Sequence, residues 1–212
     1  MKKRHIALII LTPIIILLLN FSILAFNEDY YKKQYQKNNV YAEIPEQEAQ
    51  QATDELINYL KEGGEITYFN EKEKQHLQDV RRIIKILMTT LYIAILAATI
   101  ILSITFIQNK KQLGIALIAG GLLTILVLIL LAALLMNFQT SFIKFHELAF
   151  TNNLWILDPE TDKLIVLFPE SFFYQITKDI VTRSLITAML TIAAGLALTR
   201  VRNRHEKQPF SH

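Results

Sequence analysis

Four stretches of the chain stay apolar long enough to cross a bilayer, and polar segments of unequal length separate them. A hydrocarbon core about 30 Å thick needs roughly 20 residues of helix. Residues 6–26 supply 21, interrupted only by Thr12, Pro13, Asn20 and Ser22. The second run begins at an apolar boundary at Ile83 and is continuous over 86–107; the third covers 113–136; the fourth covers 180–199 with Arg183 as its one charge. The third run is apolar on every face, whereas a buried helix of a water-soluble protein keeps a polar stripe. The pattern predicts an all-α polytopic membrane protein with transmembrane helices at 6–26, 83–107, 113–136 and 180–199. Lys2, Lys3 and Arg4 ahead of the first run resemble the start of a signal peptide, but the run is too long and Leu24-Ala25-Phe26-Asn27 offers no small-x-small cleavage site. It reads as a retained anchor.

The polar segments are 1–5, 27–82, 108–112, 137–179 and 200–212, and two of them are long enough to build a cap. In the first, Pro45 opens a run in which Ala52, Leu56, Tyr59 and Leu60 recur at helical spacing and Gly63-Gly64 closes it, predicting an amphipathic helix over 46–62. A short extended piece follows at 65–69. Asn70 with Glu73 three residues on is an N-cap signature, so a helix is expected from 71 straight into the second span. On it His76, Val80, Ile83 and Leu87 share a face. In the second segment, 154–157 and 164–168 flank Asp158-Pro159-Glu160-Thr161-Asp162, which predicts a short hairpin with an acidic turn. Pro169 is placed to start an interfacial helix leading to the last span.

Composition fits this plan: 52% of residues are hydrophobic and 19% charged. The net charge of +3 excludes a strongly basic nucleic-acid binder, and its distribution orients the helices. The tails and the 108–112 loop carry Lys2, Lys3, Arg4, Lys110, Lys111, Arg200, Arg202, Arg204 and Lys207 against Glu206 alone, a net +8. Segments 27–82 and 137–179 are −4 and −3. By the positive-inside rule both termini face the cytoplasm, and the two long segments form a small extracellular cap. With short inner connections, the chemistry belongs outside.

No cysteine is present, which removes thiolate nucleophiles, thiolate metal sites and disulfides. His5, His205 and His212 fall in the tails, leaving His76 and His146 for acid–base work. His76 stands roughly 10 Å above the hydrocarbon, counting seven residues at the helical rise; it reads either as a solvated histidine or as a headgroup-level catalyst. His146 lies in Phe145-His146-Glu147-Leu148-Ala149-Phe150, where desolvation keeps an imidazole neutral, though a structural loop histidine would look the same. Nine of the 21 aromatics fall within 137–174. Such a concentration predicts a segment that folds back to line a greasy chamber for lipid, with Phe142, Phe145, Trp155 and Phe172 as its rings. Arg183 either binds a carbonyl or phosphate oxygen or snorkels to the interface. Glu147 and Asp158 either orient a histidine or cap their loops. A zinc site would pair the two histidines with Glu73, Asp79 or Glu147, but no His-Glu-x-x-His spacing exists, so neither metal nor cofactor is expected. A serine hydrolase lacks its Gly-x-Ser-x-Gly elbow.

Phe145-His146-Glu147-Leu148-Ala149-Phe150, Asn153-Leu154-Trp155-Ile156-Leu157-Asp158-Pro159, Asp162-Lys163-Leu164-Ile165, Phe168-Pro169-Glu170-x-Phe172-Phe173 and the upstream His76-Leu77-x-Asp79-Val80 resemble a family of small bacterial four-helix membrane proteins, the lipoprotein intramolecular transacylases. The resemblance runs over essentially the whole chain. It implies a diacylated lipoprotein substrate whose N-terminal cysteine carries a thioether-linked diacylglyceryl group and a free α-amine. The sn-2 acyl chain would move onto that amine, giving an N-acyl lyso-form product, with His76 and His146 catalytic.

That chemistry suits these residues. Nucleophile and ester belong to one molecule, so no acyl-carrying serine or cysteine is needed. The tetrahedral intermediate closes an unfavourable eight-membered ring; orientation can supply up to roughly 7–11 kcal/mol and proton transfer about 10²–10⁴-fold. His146 is assigned as base and His76 as acid, with the reverse nearly equivalent. Partners are then the lipoprotein and membrane lipid, with no nucleic acid, and a monomer is favoured. The competing readings are a non-enzymatic lipid-binding or sensor protein, which would tolerate loss of both histidines, and a lipid hydrolase, which would release free fatty acid.

Overall fold

The computed structural model describes residues 3–200. Lys2 and the tail residues Arg202, Arg204, His205, Glu206, Lys207 and His212 lie outside the described residues. The described chain is helical, with no strand: α1 (Lys3–Ala25), α2 (Glu28–Lys37), a 3₁₀ turn at Val40–Ala42, α3 (Glu46–Lys61), α4 (Glu71–Gln108), α5 (Lys110–Leu135), α6 (Phe138–Ala149), α7 (Lys163–Leu167) and α8 (Glu170–Arg200). Of these, α1, α4, α5 and α8 are long and apolar enough to cross a membrane.

The spanning helices pack through small residues. A Cβ on Gly114 of α5 would lie 2.5 Å from the Gly195 carbonyl oxygen of α8, and one on Gly195 would lie 2.7 Å from the Gly114 carbonyl. Gly120 likewise receives Thr12 of α1, whose Oγ1 would be 2.6 Å from an added Cβ. Lipid tails are as apolar as leucine, so close backbone approach and the dispersion it allows hold such helices together. The α5–α8 and α1–α5 pairs are the most extensive contacts.

Above one end of the bundle, α2, α3, α7, the 65–69 linker and the ends of α4 and α8 bury a common core. Tyr31, Tyr35, Ile57, Phe69, Leu77, Leu167, Phe168 and Phe172 are its main side chains. Aromatic rings there need partners for their polar ends. Tyr31 donates to the Ala25 carbonyl and Tyr35 pairs with the Thr53 hydroxyl, both at 2.7 Å. A clamp at the start of α4 ties this core to the site. Asn70 Oδ1 accepts from Glu73 N at 3.0 Å while Glu73 Oε2 accepts from Asn70 N at 2.7 Å, a reciprocal capping box.

The hairpin expected across 154–157 and 164–168 does not form. Residues 158–162 do turn sharply, with Thr161 N and Asp162 N donating to the Asp158 carbonyl at 3.1 and 2.8 Å. The chain then winds into α7, because Glu73 Oε1 accepts from Leu164 N at 2.6 Å and satisfies a donor at the new helix's N-terminus. Leu164 and Leu167 both face the core, and a short apolar run serves helix or strand equally until a partner decides. Two helices had no sequence expectation of their own. α2 starts where Asn27 Oδ1 accepts from Tyr30 N at 2.9 Å, and α6 folds back directly from the end of α5.

Candidate active site

Residues from three parts of the chain converge beneath the cap. His76 is the sixth residue of α4, on the face that also buries Glu73 and Leu77. It is 7% exposed, which overturns the solvated-histidine reading. His146 is 9% exposed near the end of α6. The imidazole centroids are 6.2 Å apart with 33° between planes, close enough for one small polar group to reach both rings.

Aromatic rings enclose the pair. Around His146 stand Phe142 at 4.3 Å, Trp155 at 5.0 Å, Phe145 at 5.4 Å and Phe150 at 5.6 Å between centroids. Phe150 also meets His76 edge-on at 5.0 Å. Spacing explains the α6 contribution: 142, 145 and 146 lie on one helical face. Trp155 arrives from the irregular stretch after α6. A shallow polar depression of about 410 Å³, lined by residues including Tyr59, Thr67, Glu71, Lys74 and Gln78, lies on the opposite face of α4 from the histidines.

The two histidines differ in their hydrogen bonding. His146 Nδ1 lies 2.7 Å from the Phe142 carbonyl oxygen, which can only accept, so Nδ1 carries the proton and Nε2 of the neutral ring is a free acceptor. His76 Nδ1 is buried with no hydrogen-bond partner. Burial, then the adjacent His146, pushes the His76 pKa down to about 4, against a smaller upward pull from Asp79. Burial also lowers the His146 pKa, opposed by its bond to Phe142. Both rings are therefore neutral at neutral pH.

Other expected site residues fall elsewhere. Phe172 is 3% exposed within the cap core and meets Phe173 edge-on at 5.5 Å, and Phe173 in turn touches Phe142 at 5.2 Å, so Phe172 stands two rings away from His146. Arg183 is exposed on α8. Glu147 is exposed and paired with Lys144 at 2.6 Å. Asp158 caps its own turn, accepting from Glu160 N at 3.0 Å.

Four residues near the site had no such role in the sequence reading. Phe150, itself buried, packs against both histidine rings. Asp79, one turn after His76, accepts from Asn152 Nδ2 at 2.9 Å and ties the post-α6 stretch to α4. Glu73 ties α7 to the same helix. The Asn70/Glu73 signature was readable as a cap, but its second bond crosses 91 positions and leaves no local trace. Among the described residues, no cluster of three or more His, Asp or Glu has metal-holding geometry.

Four membrane-length helices, with a buried histidine pair set among aromatic rings at the start of one of them, define an integral membrane protein. The chain belongs to the lipoprotein intramolecular transacylase family: the model described as "Lipoprotein intramolecular transacylase Lit" matches residues 6–173, and the protein is a membrane transacylase. It is similar to the membrane-integral lipoprotein intramolecular transacylase Lit from Bacillus cereus, with 25% identity over 93% of this chain and 94% of that one and a TM-score of 0.84. Two structures of that protein with a histidine replaced by arginine or by alanine share the fold, each at 24% identity, 93% coverage of this chain and a TM-score of 0.80, covering 91% and 92% of those chains. No curated protein sequence matches.

Proposed function

We propose that the protein moves the sn-2 acyl chain of a diacylglyceryl-cysteine lipoprotein onto the α-amine of that cysteine, with His76 and His146 as the acid–base pair. The observation that carries this reading is the pair itself: two neutral imidazoles 6.2 Å apart, walled by aromatic rings. The α-amine first sheds its ammonium proton. A new N–C bond then forms at the ester carbonyl, the C–O bond to glycerol breaks, and one of the two remaining N–H protons ends on the glycerol oxygen while the other stays on the amide nitrogen. His146, with Nδ1 committed to Phe142, offers Nε2 as the base. His76, once protonated, is a strong acid in a site that disfavours its charge, which suits donation to the leaving alkoxide.

Phe142, Phe145 and Trp155 would hold the bent substrate, and exclusion of water by these rings favours transfer over hydrolysis. Arg183, exposed on α8, fits an interfacial anchor rather than a carbonyl ligand. The positive tails and inner loop support a topology with both termini in the cytoplasm and the site on the outer face. Ile143, Phe145, Leu148 and Ile156 are all exposed and would meet lipid at that level. One chain contributes every residue of the pair, so a monomer is competent.

The test is mass spectrometry of N-terminal lipopeptides after incubation of the detergent-solubilised protein with a diacylated lipopeptide. Wild type yields the N-acyl lyso form, and His76→Ala and His146→Ala do not. Release of free fatty acid in place of N-acylation would favour hydrolysis instead.

A further inference from the structure

The substrate amine enters as an ammonium ion, since an α-amino group has a pKa of roughly 7.7–8.0. Aromatic faces and a neutral imidazole attract a cation, but a carboxylate adds a counter-charge and charge-assisted hydrogen bonds that they lack. We propose that the Asp79 carboxylate is the subsite for the substrate α-ammonium. This assignment rests on the transfer reading above and adds to it the group that recognises a free amine.

Asp79 is half-buried one turn along α4 from His76, and its charge is felt at that imidazole. Residues three apart on a helix are neighbours. Oδ2 is fixed by Asn152 Nδ2 at 2.9 Å, and Oδ1 takes no hydrogen bond from the described residues. The other carboxylates nearby are committed. Glu73 receives two backbone N–H groups, Asp162 receives Asn70, Lys72 and the Asp158 N–H, and Glu147 is paired with Lys144. The ion pairs among the described residues are Lys72–Asp162, Lys74–Glu71, Lys144–Glu147 and Lys163–Glu48, and Asp79 belongs to none of them. Beside His76 the protein thus leaves a negative group held on one oxygen, with no hydrogen bond to the other from the described residues. Ammonium bound there lies one helical turn from His76, whose ring is 6.2 Å from that of His146. The product is a neutral amide, so the attraction disappears when the acyl group arrives and release follows.

The experiment measures binding of an ether-linked, non-transferable dialkylglyceryl-cysteinyl peptide, with its α-amine free or acetylated, to the full chain in micelles at pH about 6.5. Wild type should prefer the free amine roughly 10- to 100-fold, the scale of a charge-assisted hydrogen bond. Asp79→Asn keeps an acceptor for Asn152 and should lose that preference while binding the acetylated peptide unchanged; Asp79→Glu should keep part of it. Equal binding of the two peptides by wild type overturns the proposal, as does a preference surviving in Asp79→Asn. If Asp79→Asn does not fold, Asp79→Glu carries the test, and a free-amine preference there as large as that of wild type overturns the proposal. Failure of the transfer reading is separate: it would show as wild type leaving an ester-linked substrate unconverted.

Discussion

Replacing Glu73 by Gln tests whether the site is assembled by the clamp between α4 and α7. The carboxylate is 1% exposed and accepts two backbone N–H groups, Asn70 N at 2.7 Å and Leu164 N at 2.6 Å. Glutamine fits the same space but has one acceptor oxygen, so its NH₂ must face one of those donors. A buried donor left unpaired costs about 1–3 kcal/mol. If the cost falls on Leu164, the segment from Phe150 to α7, which carries Trp155 against His146, opens more often by roughly 5- to 150-fold. Hydrogen-exchange mass spectrometry of peptides covering 150–169 reads this directly, and lipopeptide conversion measured in parallel should fall with it. Asp162, within the segment, keeps its bonds to Asn70 and Lys72 and so moderates the opening, and the spanning helices, held by their own backbone hydrogen bonds, should exchange as in wild type. Unchanged exchange over 150–169 in Glu73→Gln would refute the reasoning, because it would mean that the clamp does not hold the segment.

Removing either imidazole, in His76→Ala or His146→Ala, should lower conversion by about 10²–10⁴-fold with melting temperature little changed, measured by product mass spectrometry and thermal denaturation. Trp155→Ala should reduce conversion without abolishing it, since it removes one wall of the His146 cluster at 5.0 Å and no proton carrier; wild-type rates would take it out of the site. Stability should fall with acid. The folded-state pKa of His76 lies near 4, below its unfolded value, so the unfolded chain binds the proton first as pH drops from about 6.5. The loss should reach up to about 3 kcal/mol near pH 4, and a melting temperature flat between pH 7 and 4 would contradict it. Gly114→Ala places a methyl 2.5 Å from the Gly195 carbonyl and should destabilise the α5–α8 pair by about 1–3 kcal/mol, read as lower thermal stability in detergent.

Chain-local physics made much of this protein legible. Four apolar runs of bilayer length need no partner to declare themselves, because the cost of exposing apolar surface or unpaired backbone is settled within each helix. The Asn70/Glu73 cap is a four-residue signal, and it sits at the start of α4. His146 was marked by the aromatic residues beside it in sequence. The resemblance to a known family brought His76 to the same site.

Tertiary structure decided the rest. Whether 163–167 became strand or helix depended on Glu73, 91 positions upstream of Leu164. Phe172 went to the cap core because Tyr31 and Phe168 meet it there. The burial of His76 depended on α6 folding back so that Phe150 and His146 cover it, and the Asp79–Asn152 bond spans 73 positions. Hydrophobic length and capping act over one or two helical turns and are written in consecutive residues. Hydrogen bonds and ring contacts between distant segments depend on how the helices meet, and no short stretch of sequence encodes that.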